Sequence, residues 1–261
     1  MLVLFIYLLV GAIAGVIAGI FGIGGGIVIV PSLIFTFSYL DFSTNVITHL
    51  AIGTSLSTII FTSLSAIYSH SKKVSIDWSL ALNLSLGMIV GALLSAVFAD
   101  NIPALLLQRG FAVFAVLIAL QMWFSWSPKA SLSLPSALYC KLIGTIIGLI
   151  SGLFGIAGGS LVVPVLTLFS IKLHQAIATA AVTGFPIAIA GALGYILMGW
   201  SNSQLPEYSF GYVYLPATLG IILTSTIFAK LGVKISHNLS PTKIKKSFSI
   251  LLLVVAVKLF F

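Results

Sequence analysis

Charge is what this chain has least of. Only 6% of its 261 residues are charged, twelve Lys and Arg against four Asp and Glu. A soluble domain carries roughly 25%, so this chain cannot cover a water-facing surface with polar groups. Cysteine is nearly absent too. Cys140 stands alone, which excludes an intramolecular disulfide, a CxxC redox pair and a cysteine metal site. The four histidines, His49, His70, His174 and His237, are scattered, so no metal cluster is expected. Acidic residues are missing from the middles of the apolar runs, which argues against a carboxylate proton relay and removes the aspartyl pair of an intramembrane protease. No P-loop is present, so ATP hydrolysis by this chain is not expected.

What is there is apolar surface. Hydrophobic residues make up 60% of the chain. Lipid is the solvent that fits this composition, and its lack of hydrogen-bonding partners makes helices the default spanning element. The apolar runs are continuous rather than alternating over about 10 residues, which excludes a β-barrel reading. Eight such regions can be marked, near 2–38, 44–69, 78–99, 104–126, 137–171, 175–199, 211–232 and 244–261. The first lacks the basic start of a signal peptide and is read as part of the fold. The first and fifth exceed the roughly 20 residues that one crossing needs.

Both long regions carry the same block. Residues 11–33 read GAIAGVIAGIFGIGGGIVIVPSL and residues 144–166 read GTIIGLISGLFGIAGGSLVVPVL. Thirteen of these 23 positions are identical at a constant offset of 133, which marks an internal duplication. The expected organisation is a first repeat over 1–130 and a second over 131–261, within one integrated transmembrane domain. Each half would hold one broken segment and three ordinary helices. Pro103 and Pro241 are each expected to open a helix.

Charge then tests topology. Ten of the twelve basic residues fall in four places: Lys72 and Lys73; Lys129 and Lys141; Lys172; and Lys230, Lys234, Lys243, Lys245 and Lys246. If all eight regions simply cross, the last cluster lands opposite the first two, against the positive-inside rule. If each broken segment is a hairpin returning to its own side, each half crosses three times. The halves are then inverted, all four clusters are cytoplasmic, and both termini are outside. Arg109 and Lys258 are left near outer helix ends, where long side chains can snorkel. The net charge of +8 is therefore read as membrane topology, and no nucleic-acid partner is expected.

The chemistry is expected at the breaks. Glycine costs roughly 1 kcal/mol in a helix relative to Ala, and Gly24, Gly25 and Gly26 incur that in succession. Past the breaks, Ile27 to Phe37 and Ser160 to Ser170 can resume as short helices. Their N-termini expose N–H groups and about half a positive charge, which suits an anion. Paired broken helices near the bilayer midplane form the binding sites of many secondary transporters. The candidate substrate-binding residues are Gly24, Gly25, Gly26, Thr54, Ser55, Ala157, Gly158, Gly159, Ser160, Thr183 and Gly184. Gly22, Pro31, Gly155 and Pro164 are expected to support the breaks. The plainer alternative is tight packing, expected for Gly11, Gly15, Gly19, Gly148 and Gly152 at small-xxx-small spacing.

The second region adds a hydroxyl face at Thr54, Thr58, Thr62 and Ser65, spaced i, i+4, i+8 and i+11. It could line a path or serve as interhelical glue. His49, near an outer helix end, is a candidate proton carrier. Gly53-Thr54-Ser55-Leu56 matches the GxSx pattern of a membrane serine protease, but His174 and His237 fall in expected loops, and an enzyme is not expected.

At GVIAGIFGIGGGIVIVP (15–31) and GLISGLFGIAGGSLVVP (148–164), with AIGTSL at 51–56, VSIDW at 74–78 and the Gly87/Gly91 spacing, the chain resembles the sulfite exporter TauE/SafE family. The resemblance implies a multi-pass transporter of small sulfur-containing or organic anions in a bacterial cytoplasmic membrane. Two departures stand out: Ala157 replaces the glycine of Gly24, and Gly184-Phe185-Pro186 stands where the first half has Ser55-Leu56-Ser57. The expectation is thus an all-α polytopic membrane protein of two four-segment halves that transports a sulfite- or sulfonate-like anion. A passive anion channel and a non-transporting membrane subunit are the alternatives. No cofactor is expected. The expected partners are the anion and the lipid bilayer, with a coupling proton or ion and a homo-oligomer left open.

Overall fold

A computed structural model describes residues 2–21, 24–71, 76–124, 135–236 and 241–260. Within them the chain forms α1 (Leu2–Phe21), α2 (Gly26–Tyr39), α3 (Ile47–Ser71), α4 (Trp78–Asp100) and α5 (Ala104–Trp123). The second half follows with α6 (Ala137–Leu153), α7 (Gly159–Leu168), α8 (Leu173–Gly199), α9 (Leu215–Ser236) and α10 (Pro241–Phe260). Both overlong regions are broken where the glycines fall, so eight apolar regions become ten helices. Gly22, Lys72, Lys73 and Lys129 lie outside the described residues.

Local chemistry sets several ends. The Asp77 carboxylate accepts a hydrogen bond from the Leu80 N–H at 3.0 Å and caps α4. Pro103 precedes α5 and Pro241 is the first residue of α10, where a missing N–H removes no helical bond. The region expected from 211 becomes helical only at Leu215, because residues 200–214 form a loop closed by an isolated bridge between Ser209 and Tyr214.

Six of the described helices are long and apolar enough to cross a membrane: Val3–Ile20, Ile47–Tyr68, Trp78–Asp100, Ala104–Trp123, Leu173–Gly199 and Leu215–Ile235. The apolar helices Gly26–Tyr39, Ala137–Leu153 and Gly159–Leu168 and the stretch Phe248–Phe260 are shorter. Outward faces are greasy rather than polar. On α9, Leu219, Leu223 and Ile227 are all exposed, an i, i+4, i+8 stripe that suits lipid.

Contacts fix the helix directions. α1 runs parallel to α9: the Thr224 hydroxyl donates to the Leu8 carbonyl at 2.7 Å, Gly15 lies against Ser225, and Gly19 against Ala229. In the second half, α6 lies parallel to α4, with Gly144 against Leu84, Gly148 against Met88 and Gly152 against Ser95. The small-xxx-small glycines therefore serve close helix packing, as expected. α3 is parallel to α9, through Ser57 beside Thr218 at 3.2 Å and the Ser65 hydroxyl donating to Thr226 O at 2.9 Å.

Equivalent helices of the two halves meet head to tail. α3 is antiparallel to α8, with Leu56 at Gly191 and Ser63 at Gly184. α5 is antiparallel to α10: Gln108 donates to the Leu259 carbonyl at 2.9 Å, while Lys246 lies over the Trp123 ring. Because α1 and α3 both run parallel to α9, the α2 between them must come back. It does: Gly24 sits by Ile59 and Phe37 reaches Tyr214. His49 near the start of α3 bonds Ala99 at the end of α4, so α4 opposes α3 and runs with α8 and α6. The α7 between α6 and α8 must double back in the same way.

Candidate functional site

The two breaks are made by left-handed glycines. Gly25 has φ 78° and caps α2; Gly158 has φ 74° and caps α7. A side chain is strained at such angles, and a β-branched one most of all. The Gly25 carbonyl accepts from the N–H of Val28 and Ile29, and the Gly158 carbonyl from Leu161 and Val162. The N–H groups of Gly26, Ile27, Gly159 and Ser160 therefore stand ahead of each helical ladder.

These breaks touch each other. A Cβ on Gly24 would meet the Ala157 side chain, and one on Gly26 would meet the Gly155 carbonyl. Gly24 and Ala157 are the equivalent residues at the offset of 133. The Ala157 methyl group fills the space that a side chain on Gly24 would need, and Gly24 is left-handed, at φ 69°, where Ala157 is not.

Helices α3 and α8 hold the junction. The Ser55 hydroxyl donates to the Gly155 carbonyl at 2.8 Å, and Thr62 donates to the Gly24 carbonyl at 3.3 Å. Gly184 leaves room for Ala157, whose carbonyl lies 3.1 Å from where a Cβ would stand. The candidate set is thus partly assembled: Gly24, Gly26, Ser55, Gly155, Ala157 and Gly184 come together. Thr54 does not join them, since its hydroxyl accepts from the Tyr214 N–H at 2.9 Å and anchors the 200–214 loop. Thr183 is buried and bonds the Ala180 carbonyl of its own helix at 3.2 Å. The rest of the hydroxyl face of α3 bonds backbone: Thr58 donates to Ser55 O of its own helix at 2.7 Å, and Ser65 donates to α9. Ser55, the serine of the protease-like match, is spent on Gly155. Pro31 and Pro164 lie inside α2 and α7, where each leaves the carbonyl four residues earlier, Ile27 or Ser160, without its helical donor.

The second break carries polar groups that have no partner. The hydroxyls of Ser151 and Ser160 are buried with no hydrogen-bond partner. Ser151 is fully buried, and its Oγ lies 3.3 Å from where a Gly158 Cβ would be. A buried polar atom without a partner is costly, and both stand at the N-terminus of α7. Only the unsatisfied state marks Ser151, and a sequence does not display that. Among the described residues, no group of three His, Cys, Asp or Glu could hold a metal ion.

A bundle of apolar helices with two interlocked breaks at its centre is a multi-pass membrane protein of the transporter class. The chain belongs to the sulfite exporter TauE/SafE family, whose model matches residues 7–259. It is similar to a probable membrane transporter protein of Haemophilus influenzae, 36% identical over 97% of this chain and 96% of the relative. A probable membrane transporter protein of Methanocaldococcus jannaschii is 30% identical over 94% of this chain and 91% of its own. A sulfite exporter TauE/SafE family protein of Arabidopsis thaliana matches over 33% of this chain at 34% identity. No solved structure matches. The protein is thus a multi-pass membrane transporter of the cell membrane.

Proposed function

We propose that the chain is a secondary transporter of a small sulfur-containing or organic anion, sulfite- or sulfonate-like, bound at the paired breaks. The observation that carries this reading is the N-terminus of α7, where two buried hydroxyls, Ser151 and Ser160, lack partners. Helix N-terminal N–H groups and hydroxyls are donors without a full charge. Each helix terminus contributes about 0.3–2 kcal/mol toward an anion, so several donors must act together to offset its dehydration. Modest binding suits a carrier, which must also release.

The reading includes two repeats, 1–130 and 131–261, related by inversion. The antiparallel pairing of α3 with α8 and of α5 with α10 supports it, as does the contact between the equivalent residues Gly24 and Ala157. Equivalent residues touch where a two-fold axis passes. The doubling back of α2 and α7 supports re-entrant hairpins with three crossings per half and both termini outside. Alternating access then comes from one half rocking against the other around the breaks.

The test is reconstitution in proteoliposomes with a panel of sulfite, thiosulfate and methanesulfonate. Saturable counterflow of at least one is expected. Voltage-driven currents far above carrier turnover would assign a channel, and absence of flux for all three would contradict the reading. Reporter fusions that place the C-terminus in the cytoplasm would overturn the topology.

A further inference from the structure

A cavity of about 820 Å³ opens at the end of the bundle where α3 begins and α4 and α8 end. His49, Asp100, Tyr212, Asn45, Thr44 and Gln108 are among its lining residues. His49 is buried, at 4% exposure, and its ring stacks on Tyr212 with centroids 5.2 Å apart. Its Nε2 lies 2.9 Å from the Ala99 carbonyl. A carbonyl only accepts, so Nε2 carries the hydrogen and the tautomer is fixed. The other nitrogen, Nδ1, is buried with no partner.

The ring it stacks on is held by a polar chain in the cavity wall. The Tyr212 hydroxyl donates to Asp100 Oδ1 at 3.0 Å and accepts from the Asn202 amide at 3.1 Å. Burial pushes the Tyr212 pKa up, so the phenol keeps its proton and remains a donor to Asp100. Of the elements that wall the cavity, α4 contributes the titratable Asp100 and the 200–214 loop contributes Tyr212. α5 contributes uncharged Leu105 and Gln108, while its Arg109 guanidinium lies 5.9 Å from the Phe260 ring. No lysine or arginine is among the lining residues, so His49 is the group there that can become a cation.

We propose that His49 Nδ1 is the proton-binding site of this transporter, loaded from the outer solution, and that the resulting imidazolium draws the anion into the cavity ahead of the breaks. Protonation turns an unpartnered acceptor into a charged donor on a ring that lines this polar cavity. The proton and one negative charge then enter together, which lowers the electrical cost of moving the anion through lipid. This rests on the reading that the chain carries an anion, and it adds the coupling ion and the place where that ion is taken up.

Two measurements test it. Uptake of thiosulfate or methanesulfonate, whichever the wild type carries, is followed in proteoliposomes as outer pH is varied. Neither probe changes charge over the range, so the profile reports on the protein. Uptake by the wild type should rise about tenfold as outer pH is lowered. His49→Gln, which keeps an amide donor within reach of Ala99, should transport with a flat profile. An unchanged pH profile in His49→Gln overturns the proposal. The second measurement, ¹⁵N NMR of histidine-labelled wild type, needs no transport. The His49 Nδ1 signal, assigned by its loss in the variant, should pass from acceptor to protonated as pH falls. A signal constant across that range also overturns the proposal. Absence of flux for every probe, with a titrating Nδ1, would instead count against the anion-carrier reading and leave the proton site standing.

Discussion

Gly25 caps α2 at the first break and Gly158 caps α7 at the second; at the offset of 133, Ala18 and Ile27 stand where the second half has Ser151 and Ser160. The capping glycines are alike, φ 78° against 74°, although Gly24 before the first is also left-handed, at φ 69°, and Ala157 before the second is not. The polar groups are not shared. Ala18 and Ile27 are buried apolar side chains, whereas both serine hydroxyls are buried and unsatisfied. The two breaks thus share a capping glycine and differ in the side chains around it. The lesson is that the turn is a structural requirement of both halves, while the donors that suit an anion are concentrated in one.

The largest effect should come from destroying either turn. Gly25→Val and Gly158→Val each force a β-branched residue into left-handed backbone, at a cost on the order of 1–3 kcal/mol before clashes. A Cβ at residue 25 also comes within 2.7 Å of the Ala14 carbonyl. Anion flux should fall at least about tenfold in both variants while membrane insertion persists. If only one variant lost flux, the turns would not be equivalent.

A more discriminating change removes the donors. Ser151→Ala should raise the half-saturating anion concentration roughly three- to tenfold, the worth of one hydrogen bond. Ala18→Ser, the equivalent change in reverse, should leave it within about twofold. Equal responses would show that the breaks bind alike. Removing the clamp comes next. Ser55→Ala strips the Gly155 carbonyl of its donor and should cost about 0.5–1.5 kcal/mol of stability, read as a lower thermal midpoint in detergent. Thr62→Ala should cost less, because its bond to Gly24 is longer, at 3.3 Å, and its hydroxyl also lies near carbonyls of its own helix. The smallest effect should follow Ala157→Gly, below about 1 kcal/mol, with flux retained.

Much of this was legible from residue order. The GIGGG and GIAGG runs located both breaks, because left-handed backbone favours glycine, and α2 and α7 begin within a residue of where the glycines end. Gly11, Gly15 and Gly19 announced a close helix contact by their spacing, but the partner helix α9, some 200 residues away, is a matter of tertiary packing. The hydroxyl face of α3 was visible as a period. Its use was not: Thr54 holds a loop, Ser55 and Thr62 hold the breaks, and Thr183 bonds its own helix. A hydroxyl in lipid must find a partner, and sequence does not say which. Ser151 was missed for the complementary reason, since only packing shows that a serine has found none.

The central claim is that an anion binds at the start of α7 and is carried. It is tested most directly by counterflow of radiolabelled sulfite or thiosulfate into liposomes holding the wild type or Ser151→Ala. Saturable counterflow is expected for the wild type, and for the variant a half-saturation raised several-fold at a similar maximal rate. Wild-type liposomes without counterflow, or a variant whose saturation curve overlays the wild type, would contradict it.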